Sequence, residues 1–250
     1  MTLKQAVASE LRKDRARRMA RPLDLALVAP PPLKSGDRLT RYEFERRYDA
    51  MPHIKKAELI EGVVHMPTPV SNRHSAAHGL IIGWLAAYRA ATPGVHLNDN
   101  ATVRLDLDNE PQPDALLRLD EALGGRSRIS KDDYIEGAPE FIAEIAVTSA
   151  SYDLHDKMNA YRRNGVQEYL VWRAYDQELD WFSLQEGQYV PLEPDDEGVT
   201  HSQVFPGLRL HAPAMLEGDL ARVLAELQKG LATDEHTAFV EQLAQKRGPG

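Results

Sequence analysis

The stretch FIAEIAVTSAS, residues 141–151, has the pattern of a buried β-strand that carries one carboxylate. Alternation along a strand divides its side chains between two faces, with Phe141, Ala143, Ile145 and Val147 on one and Ile142, Glu144 and Ala146 on the other. An ionised carboxylate loses several kcal/mol of hydration when it is buried without compensation. Glu144 therefore needs a cation or a hydrogen-bond donor close to it.

A second carboxylate precedes another apolar segment. Asp114 follows Pro113 directly before ALLRL, residues 115–119, and stands 30 positions before Glu144. If the two segments pair as strands, both carboxylates can project from the same face of the sheet. Neighbouring carboxylates repel each other, and a shared proton or a bound cation relieves that repulsion. A hard divalent cation such as Mg²⁺ is typically held by one or two carboxylates, waters and a substrate phosphate.

A helix is predicted after the strand, from a cap at Asp153 to Arg163. Four of its residues recur at the spacing i, i+3, i+4, i+7: Leu154, Lys157, Met158 and Tyr161. Lys157 therefore lies on the apolar stripe that faces the sheet, where its ammonium needs Glu144, Asp114 or a phosphate as partner. Burial would also lower the basicity of Lys157, as suits a proton-transfer group. A purely structural buried ion pair explains the same pattern.

The remaining segments predict an α+β (α/β) fold in which a mixed β-sheet is flanked by helices on each side. The expected helices cover 40–48, the region from His74 to Pro93, and an amphipathic region from about 217 onward. The expected strands are a hairpin within 57–66, then 101–107, 115–119, 141–147 and 168–173, and a second hairpin made of 178–184 and 188–192. Residues 120–139 are expected to form a charged connection. The tryptophans, Trp84, Trp172 and Trp181, are expected in the core or on a sheet face rather than as a base-stacking platform.

The run from Pro113-Asp114 through EIAVTSASYDLHDKMNAYRRNGVQEYLVW resembles the Uma-type bacterial family of "putative restriction endonucleases", within the PD-(D/E)xK nuclease superfamily. AELIEGVV, the histidine-bearing helix after it and FPGLRL match as well, so the resemblance covers roughly residues 40–216. It implies a restriction-endonuclease-like core in which Asp114 is the PD aspartate and Glu144 the acid of the (D/E)xK element. The superfamily lysine should stand two positions after that acid, where this chain has Ala146. Lys157 matches the substitute lysine of the family, and Glu58 matches a further acidic position.

The resemblance implies metal-assisted hydrolysis of phosphodiester bonds in nucleic acid, with DNA as the expected substrate. Asp114, Glu144 and the backbone carbonyl of Ile145 are the expected ligands of Mg²⁺ or Mn²⁺. Lys157 would stabilise charge on the phosphate or orient the water, and Glu58 would hold a second ion or a water. Three further residues are expected around the pocket: Tyr161, His78 and His74.

Two other functions fit parts of the sequence. His74 and His78 form an H-x-x-x-H pair, as in zinc-binding helices, although Ser75 replaces the glutamate of an H-E-x-x-H motif. The sequence shows no evident third ligand, though His96 or Asp99 could fold near the pair. The nuclease fold would otherwise serve as a catalytically inactive binding or interaction module, with the carboxylates as relics or as a structural metal site. The net charge of −8 favours that module slightly, because it gives no general attraction to nucleic acid.

Composition and charge suggest three regions. They are a basic N-terminal extension at 1–36, the nuclease-like domain at 37–216 and a helical C-terminal tail at 217–250, which would cover the core of a monomer or form a homodimer. The chain has 250 residues and no cysteine, which excludes disulfides and thiolate metal sites. No apolar run approaches the roughly 20 residues of a membrane span, and the first residues lack the apolar core of a secretory signal. A cytoplasmic protein without membrane contact is therefore expected.

Overall fold

The computed structural model describes residues 29–66, 69–147 and 152–247. Most of the extension predicted at 1–36 lies outside the described residues, and so do residues 148–151 of the stretch that opened the sequence analysis. No helix in the described ranges is long and apolar enough to cross a membrane.

The described strands are, in chain order, β1 (Glu58–Ile60), β2 (Val63–His65), β3 (Val95–Asp99), β4 (Val103–Arg104), β5 (Ala115–Leu119), β6 (Arg128–Ile129), β7 (Ile135–Glu136), β8 (Phe141–Ala146), β9 (Glu168–Arg173), β10 (Glu178–Gln185), β11 (Gln188–Pro191), β12 (Val199–His201) and β13 (Arg209–His211). The helices are α1 (Arg41–Asp49), α2 (Asn72–Ala91), α3 (Met158–Asn164), α4 (Ala212–Glu217), α5 (Leu220–Leu231) and α6 (Asp234–Arg247). A 3₁₀ turn spans Glu121–Leu123, and a π-helical segment spans Asp153–Lys157.

The centre of the fold is a six-stranded mixed sheet with the strand order β11-β10-β9-β8-β5-β3. β8 and β9 run parallel, and the other neighbours run antiparallel. A parallel pair needs a crossover connection, which the π-helical segment and α3 provide. The predicted mixed sheet is thereby confirmed. The predicted pairing of β5, which follows Asp114, with β8, which contains Glu144, is confirmed as well.

Helices cover both faces of the sheet. On one face, Phe141 and Ile145 of β8 belong to a buried cluster that includes residues of α2, α5 and α6. On the other face, Ile142 and Ala146 pack in a cluster with Tyr161 of α3. The alternation predicted for this strand is confirmed. Burial on both sides explains why its sequence is nearly continuously apolar.

The strand predicted over 101–107 is much shorter than expected. Only Val103–Arg104 forms a strand, and it pairs with β7 instead of joining the central sheet. Asp106 ends it, because its Oδ1 accepts hydrogen bonds from the backbone N–H of Asp108 at 2.8 Å and from Nδ2 of Asn109 at 2.9 Å. Such aspartate-centred turns divert the backbone from an extended course. The connection at 120–139 is more ordered than expected, since it contains the 3₁₀ turn, β6 and β7.

The helix predicted from Asp153 is α-helical only from Met158, because the π-helical segment precedes it. Asp153 thus lies inside a helical segment instead of capping an α-helix. The hydroxyl of Tyr169 donates to the backbone carbonyl of Asp153 at 3.0 Å, and a side chain that takes a helical carbonyl in this way widens the turn. Lys157 still faces the sheet as predicted, and it is 4% exposed.

The C-terminal helices complete the core. The amphipathic helix predicted after residue 217 is confirmed as α5, whose Val223 and Leu227 lie in the same buried cluster as Trp84 of α2. Leu243 of α6 joins them. The apolar face of α5 is therefore covered within one chain, while the boundary at 216/217 and the homodimer stay predictions.

Leu227→Ala is expected to lower the free energy of unfolding by about 2–5 kcal/mol, because it leaves a cavity beneath α5. Urea unfolding followed by circular dichroism measures the change. The adjacent, exposed Gln228 provides the matched control: Gln228→Ala should change the same quantity by less than about 0.5 kcal/mol. Equal stabilities for the two variants would contradict the packing of α5 on the core.

Candidate functional site

Asp114 stands one residue before β5, at the open end of the central sheet. The antiparallel register of β5 and β8, continued one residue past its last pair, sets Asp114 opposite Glu144. Oδ2 of Asp114 accepts a hydrogen bond from the backbone N–H of Ile145 at 2.8 Å and lies 3.2 Å from Nε2 of His74. The Asp114 carboxylate thus connects β8 with α2, and both predicted acids lie at one place.

Asp114 is held in its ionised form. Burial raises the pKa of its carboxyl, but the hydrogen bond from His74 and the charges of Lys56 and Lys157 outweigh burial and bring the pKa to about 2. Nζ of Lys56 lies 3.9 Å from Oδ1. The Asp114 carboxylate therefore carries a full negative charge at neutral pH.

Glu144 receives two donors on a single oxygen. Nζ of Lys157 lies 2.9 Å from Oε1, and the hydroxyl of Tyr161 donates to the same atom at 2.7 Å. Glu144 and Lys157 are 3% and 4% exposed, and Tyr161 is fully buried. One turn of helix thus supplies both the charge and the hydrogen bond that Glu144 needs inside the sheet.

Three carboxylates share the ammonium of Lys157. Besides Glu144, Oε1 of Glu58 lies 3.1 Å away and Oδ1 of Asp153 lies 3.9 Å away. Burial lowers the pKa of Lys157, yet these carboxylates, Glu144 foremost, raise it well above its usual value. The lowered basicity expected from the sequence is therefore wrong, because burial is outweighed by neighbouring charges.

Negative charge is in excess at this point of the molecule. Burial raises the pKa of Glu144; Lys157 lowers it, while the charges of Asp114, Asp153 and Glu58 raise it further. The pKa of Glu144 is thus raised where that of Asp114 is lowered, the usual result when two carboxylates lie close together. Such a cluster takes up a proton or a cation.

Glu58 ties the hairpin of β1 and β2 to the segment before Asp114. Its Oε1 accepts a hydrogen bond from the backbone N–H of Gln112 at 2.8 Å as well as contacting Lys157. The turn of this hairpin is Glu61-Gly62, as predicted, and both residues have positive φ. The structure thus brings Glu58 to the same ammonium as Glu144.

A cleft of about 500 Å³ opens onto these groups. Asp114, Glu144 and Lys157 line it, and so does Tyr152, whose ring lies 4.4 Å from that of His65 between centroids. Its volume falls in the range of ligand-binding clefts. The charged groups are therefore buried but accessible from one direction.

His74 and His78 both contact Asp114, through different atoms. His74 meets the carboxylate, whereas Nε2 of His78 lies 2.8 Å from the backbone carbonyl oxygen of Asp114. Their position one and two turns into α2 makes this possible, because residues at i and i+4 share a helix face. Both histidines thus lie at the pocket, where the sequence analysis expects them.

The zinc site is not supported. Asp99 does lie 3.1 Å from Nε2 of His78, but His96 pairs with Asp120 instead, at 3.6 Å. Among the residues described, no group of three or more histidine and acidic side chains is arranged to hold a metal ion. A cation at this site would therefore need backbone, water or substrate ligands in addition.

Lys56 and the role of Asp153 were missed from the sequence. Nothing in HIKKAEL separates Lys56 from Lys55, because both look like solvated lysines. The sequence predicts Asp153 as a helix cap, although its i, i+4 spacing from Lys157 also indicates an ion pair.

The Uma2 family model, described as "Putative restriction endonuclease", matches residues 41–213. Among solved structures, the chain is similar to a "putative nuclease belonging to DUF820" from Anabaena variabilis ATCC 29413. The two share 14% sequence identity with a TM-score of 0.53, over 65% of this chain and 90% of that chain. No curated protein matches the chain. At that identity the structural likeness shows the fold alone.

His74→Ala is expected to raise the pKa of Asp114 from about 2 toward its usual 3.8, because it removes the hydrogen bond to the carboxylate. A carboxylate with a depressed folded-state pKa stabilises the fold above its unfolded-state pKa and loses that effect as pH falls through the folded value. In metal-free protein, this contribution of roughly 2 kcal/mol should disappear between about pH 4 and pH 2, and it should be smaller in the variant. Carboxyl ¹³C NMR titration measures the pKa directly.

His78→Ala is the matched control. Because His78 contacts the backbone carbonyl of Asp114, its removal should leave the carboxyl pKa near 2. Equal shifts in the two variants would contradict a specific contact between His74 and the carboxylate.

Proposed function

This chain belongs to the Uma2 family of "putative restriction endonucleases", and from that premise we propose that it is a metal-dependent endonuclease that hydrolyses phosphodiester bonds of nucleic acid, DNA foremost. One observation carries the proposal: Asp114 and Glu144 meet at the floor of an open cleft, with the Lys157 ammonium 2.9 Å from Glu144. Carboxylates that can hold a cation, next to a fixed positive charge, are the groups that phosphodiester hydrolysis requires.

The two carboxylates fit a hard divalent cation. In the described part of the chain, no hydrogen bond involves Oδ1 of Asp114 or Oε2 of Glu144, so each acid retains an oxygen for a ligand. Two carboxylates, one carbonyl, waters and a phosphate form the oxygen ligand set typical of Mg²⁺ or Mn²⁺. A bound cation would polarise the phosphoryl oxygen and lower the pKa of a bound water.

The backbone carbonyl of Ile145 suits the third position. The N–H of Ile145 donates to Asp114, and the N–H and C=O of one strand residue point to the same side. The paired part of β5 ends at Ala115, opposite Ala143. The Ile145 carbonyl is therefore directed to the side on which Asp114 lies, past the last paired residue of β5.

Lys157 acts as a fixed positive charge. Burial lowers its pKa, but the neighbouring carboxylates, Glu144 foremost, raise the pKa well above its usual value and favour the charged ammonium. Ion pairs with Glu144 and Glu58 hold its ammonium at the cleft floor, where it would stabilise negative charge that develops on the phosphate.

Three residues position these groups without touching the reacting atoms. Tyr161 fixes one oxygen of Glu144, and Glu58 fixes Lys157. His74 fixes one oxygen of Asp114. Through Oε1, Glu58 contacts both the Lys157 ammonium and the Gln112 backbone N–H, so it holds Lys157 and the segment before Asp114 in place.

Asp114→Asn and Lys157→Met are each expected to reduce cleavage by about 100-fold or more, because they remove a cation ligand and a transition-state charge respectively. Supercoiled plasmid, linear duplex and single-stranded DNA should be incubated with purified protein in Mg²⁺ and in Mn²⁺, and products resolved on gels. Cleavage should stop in EDTA.

Two variants control for folding and for loss of charge elsewhere. Glu168→Gln alters another fully buried carboxylate, which accepts a hydrogen bond from Ser202. Lys229→Ala removes a surface lysine that is paired with Glu226. Both should retain activity. Activity that survives Asp114→Asn would show that the cleavage arises elsewhere, and no cleavage of any substrate in either metal would favour the inactive binding module.

A further inference from the structure

Tyr175 places an exposed aromatic ring on the wall of the cleft. It lies in the turn between β9 and β10, is 61% exposed, and lines the same cleft as Asp114 and Glu144. The three tryptophans are buried, as the sequence predicted, so they offer no ring to a ligand: Trp84, Trp172 and Trp181. Tyr175 is an accessible flat apolar surface beside the charged floor.

Arg73 holds the ring from one side. Its guanidinium carbon lies 4.6 Å from the centroid of Tyr175, and Nη1 donates to the backbone carbonyl of Ala174 at 3.3 Å. Arg73 forms no ion pair with any carboxylate in the described ranges, so its charge is available to an anion. Arg73 and Ala174 also line a second cavity of about 300 Å³, whereas Tyr175 lines the cleft, so each member of the Arg73–Tyr175 pair borders a different cavity.

The rest of the cleft wall is also partly apolar. Met66, Pro69 and Val70 line it, and Val70 is 70% exposed. The floor is recessed, since Asp114 and Glu144 are 4% and 3% exposed. A phosphate that reaches these acids must enter the cleft, and the groups flanking it then lie against the wall.

We propose that Tyr175 stacks on a nucleobase next to the scissile phosphate, with Arg73 at a neighbouring phosphate, so that the cleft takes single-stranded nucleic acid in preference to intact duplex. This inference rests on the endonuclease function proposed above and names its substrate class. In a duplex both faces of a base are already stacked on neighbours, whereas an unpaired strand can offer a face to an aromatic side chain. The chain carries a net charge of −8, so affinity for a polyanion must come from such local contacts.

The test compares strands that differ only in their bases. Fluorescence anisotropy would measure binding of labelled dT20, of an abasic 20-mer with the same backbone, and of a 20-base-pair duplex, in Ca²⁺, with the oligonucleotides verified intact on gels. Wild type should bind dT20 about tenfold more tightly than either competitor. Tyr175→Ala should abolish the preference over the abasic strand, and Tyr175→Trp should retain it.

Tyr42 provides a matched control. It is 64% exposed and has the guanidinium of Arg41 5.3 Å from its ring centroid, yet it does not line the cleft. Tyr42→Ala should bind like wild type. Equal binding of dT20 and the abasic strand by wild type, tighter binding of duplex, absence of binding, or a preference that survives Tyr175→Ala would each overturn the inference. A preference for dT20 over the abasic strand without cleavage of any substrate would support stacking on Tyr175 and contradict the proposed catalysis. Cleavage without that preference would support the catalysis and contradict the stacking.

Discussion

The burial of Glu144 inside a central strand is the constraint on which the site depends. A carboxylate in that position is costly unless charges and donors replace its water, and Lys157 and Tyr161 supply them from the crossover that follows the strand. The net charge of these buried groups is still negative, however, because Glu58 shares the Lys157 ammonium and Asp114 stands opposite Glu144. Lys157 and Lys56, the second of which lies 3.9 Å from Asp114, are two charges against the four carboxylates of Asp114, Glu144, Glu58 and Asp153. A divalent cation would complete the charge balance, which is why the same arrangement serves both stability and the proposed chemistry.

The topology explains why this happens at one end of the sheet. β5 begins one residue after Asp114, so β8 extends past the paired register and presents backbone groups of Ile145 that β5 does not use. The parallel pairing of β8 with β9 requires a crossover, and that crossover brings Lys157 back over the sheet face. α2 approaches from the other side with His74, and the turn after β9 brings Tyr175 to the cleft wall. Each group comes from a different element, and the sheet sets the distances between them.

The sequence was sufficient for the features that follow from periodicity. The alternation of a nearly apolar strand predicts the face on which Glu144 lies. Helical spacing predicts that Lys157 faces Glu144, which holds even though a π-helical segment replaces the expected first turn. The lowered basicity predicted for Lys157 is wrong because the charges of Glu144 and of Glu58, 99 positions before Lys157, outweigh local burial. Tyr175 could not be singled out either. A tyrosine in a hairpin turn has no local pattern that shows which cleft it borders, since only the packing of β9 beside β8 decides that.

The measurement that tests the account most directly is an anomalous difference map from crystals of the protein equilibrated with Mn²⁺. We expect one strong peak between the carboxylates of Asp114 and Glu144, within bonding distance of the Ile145 carbonyl. That result would show that the excess negative charge at the cleft floor holds a cation. A site without a peak at saturating Mn²⁺, or a peak on His74 and His78 alone, would contradict the account, because lysines and protons would then balance the buried carboxylates without a metal ion.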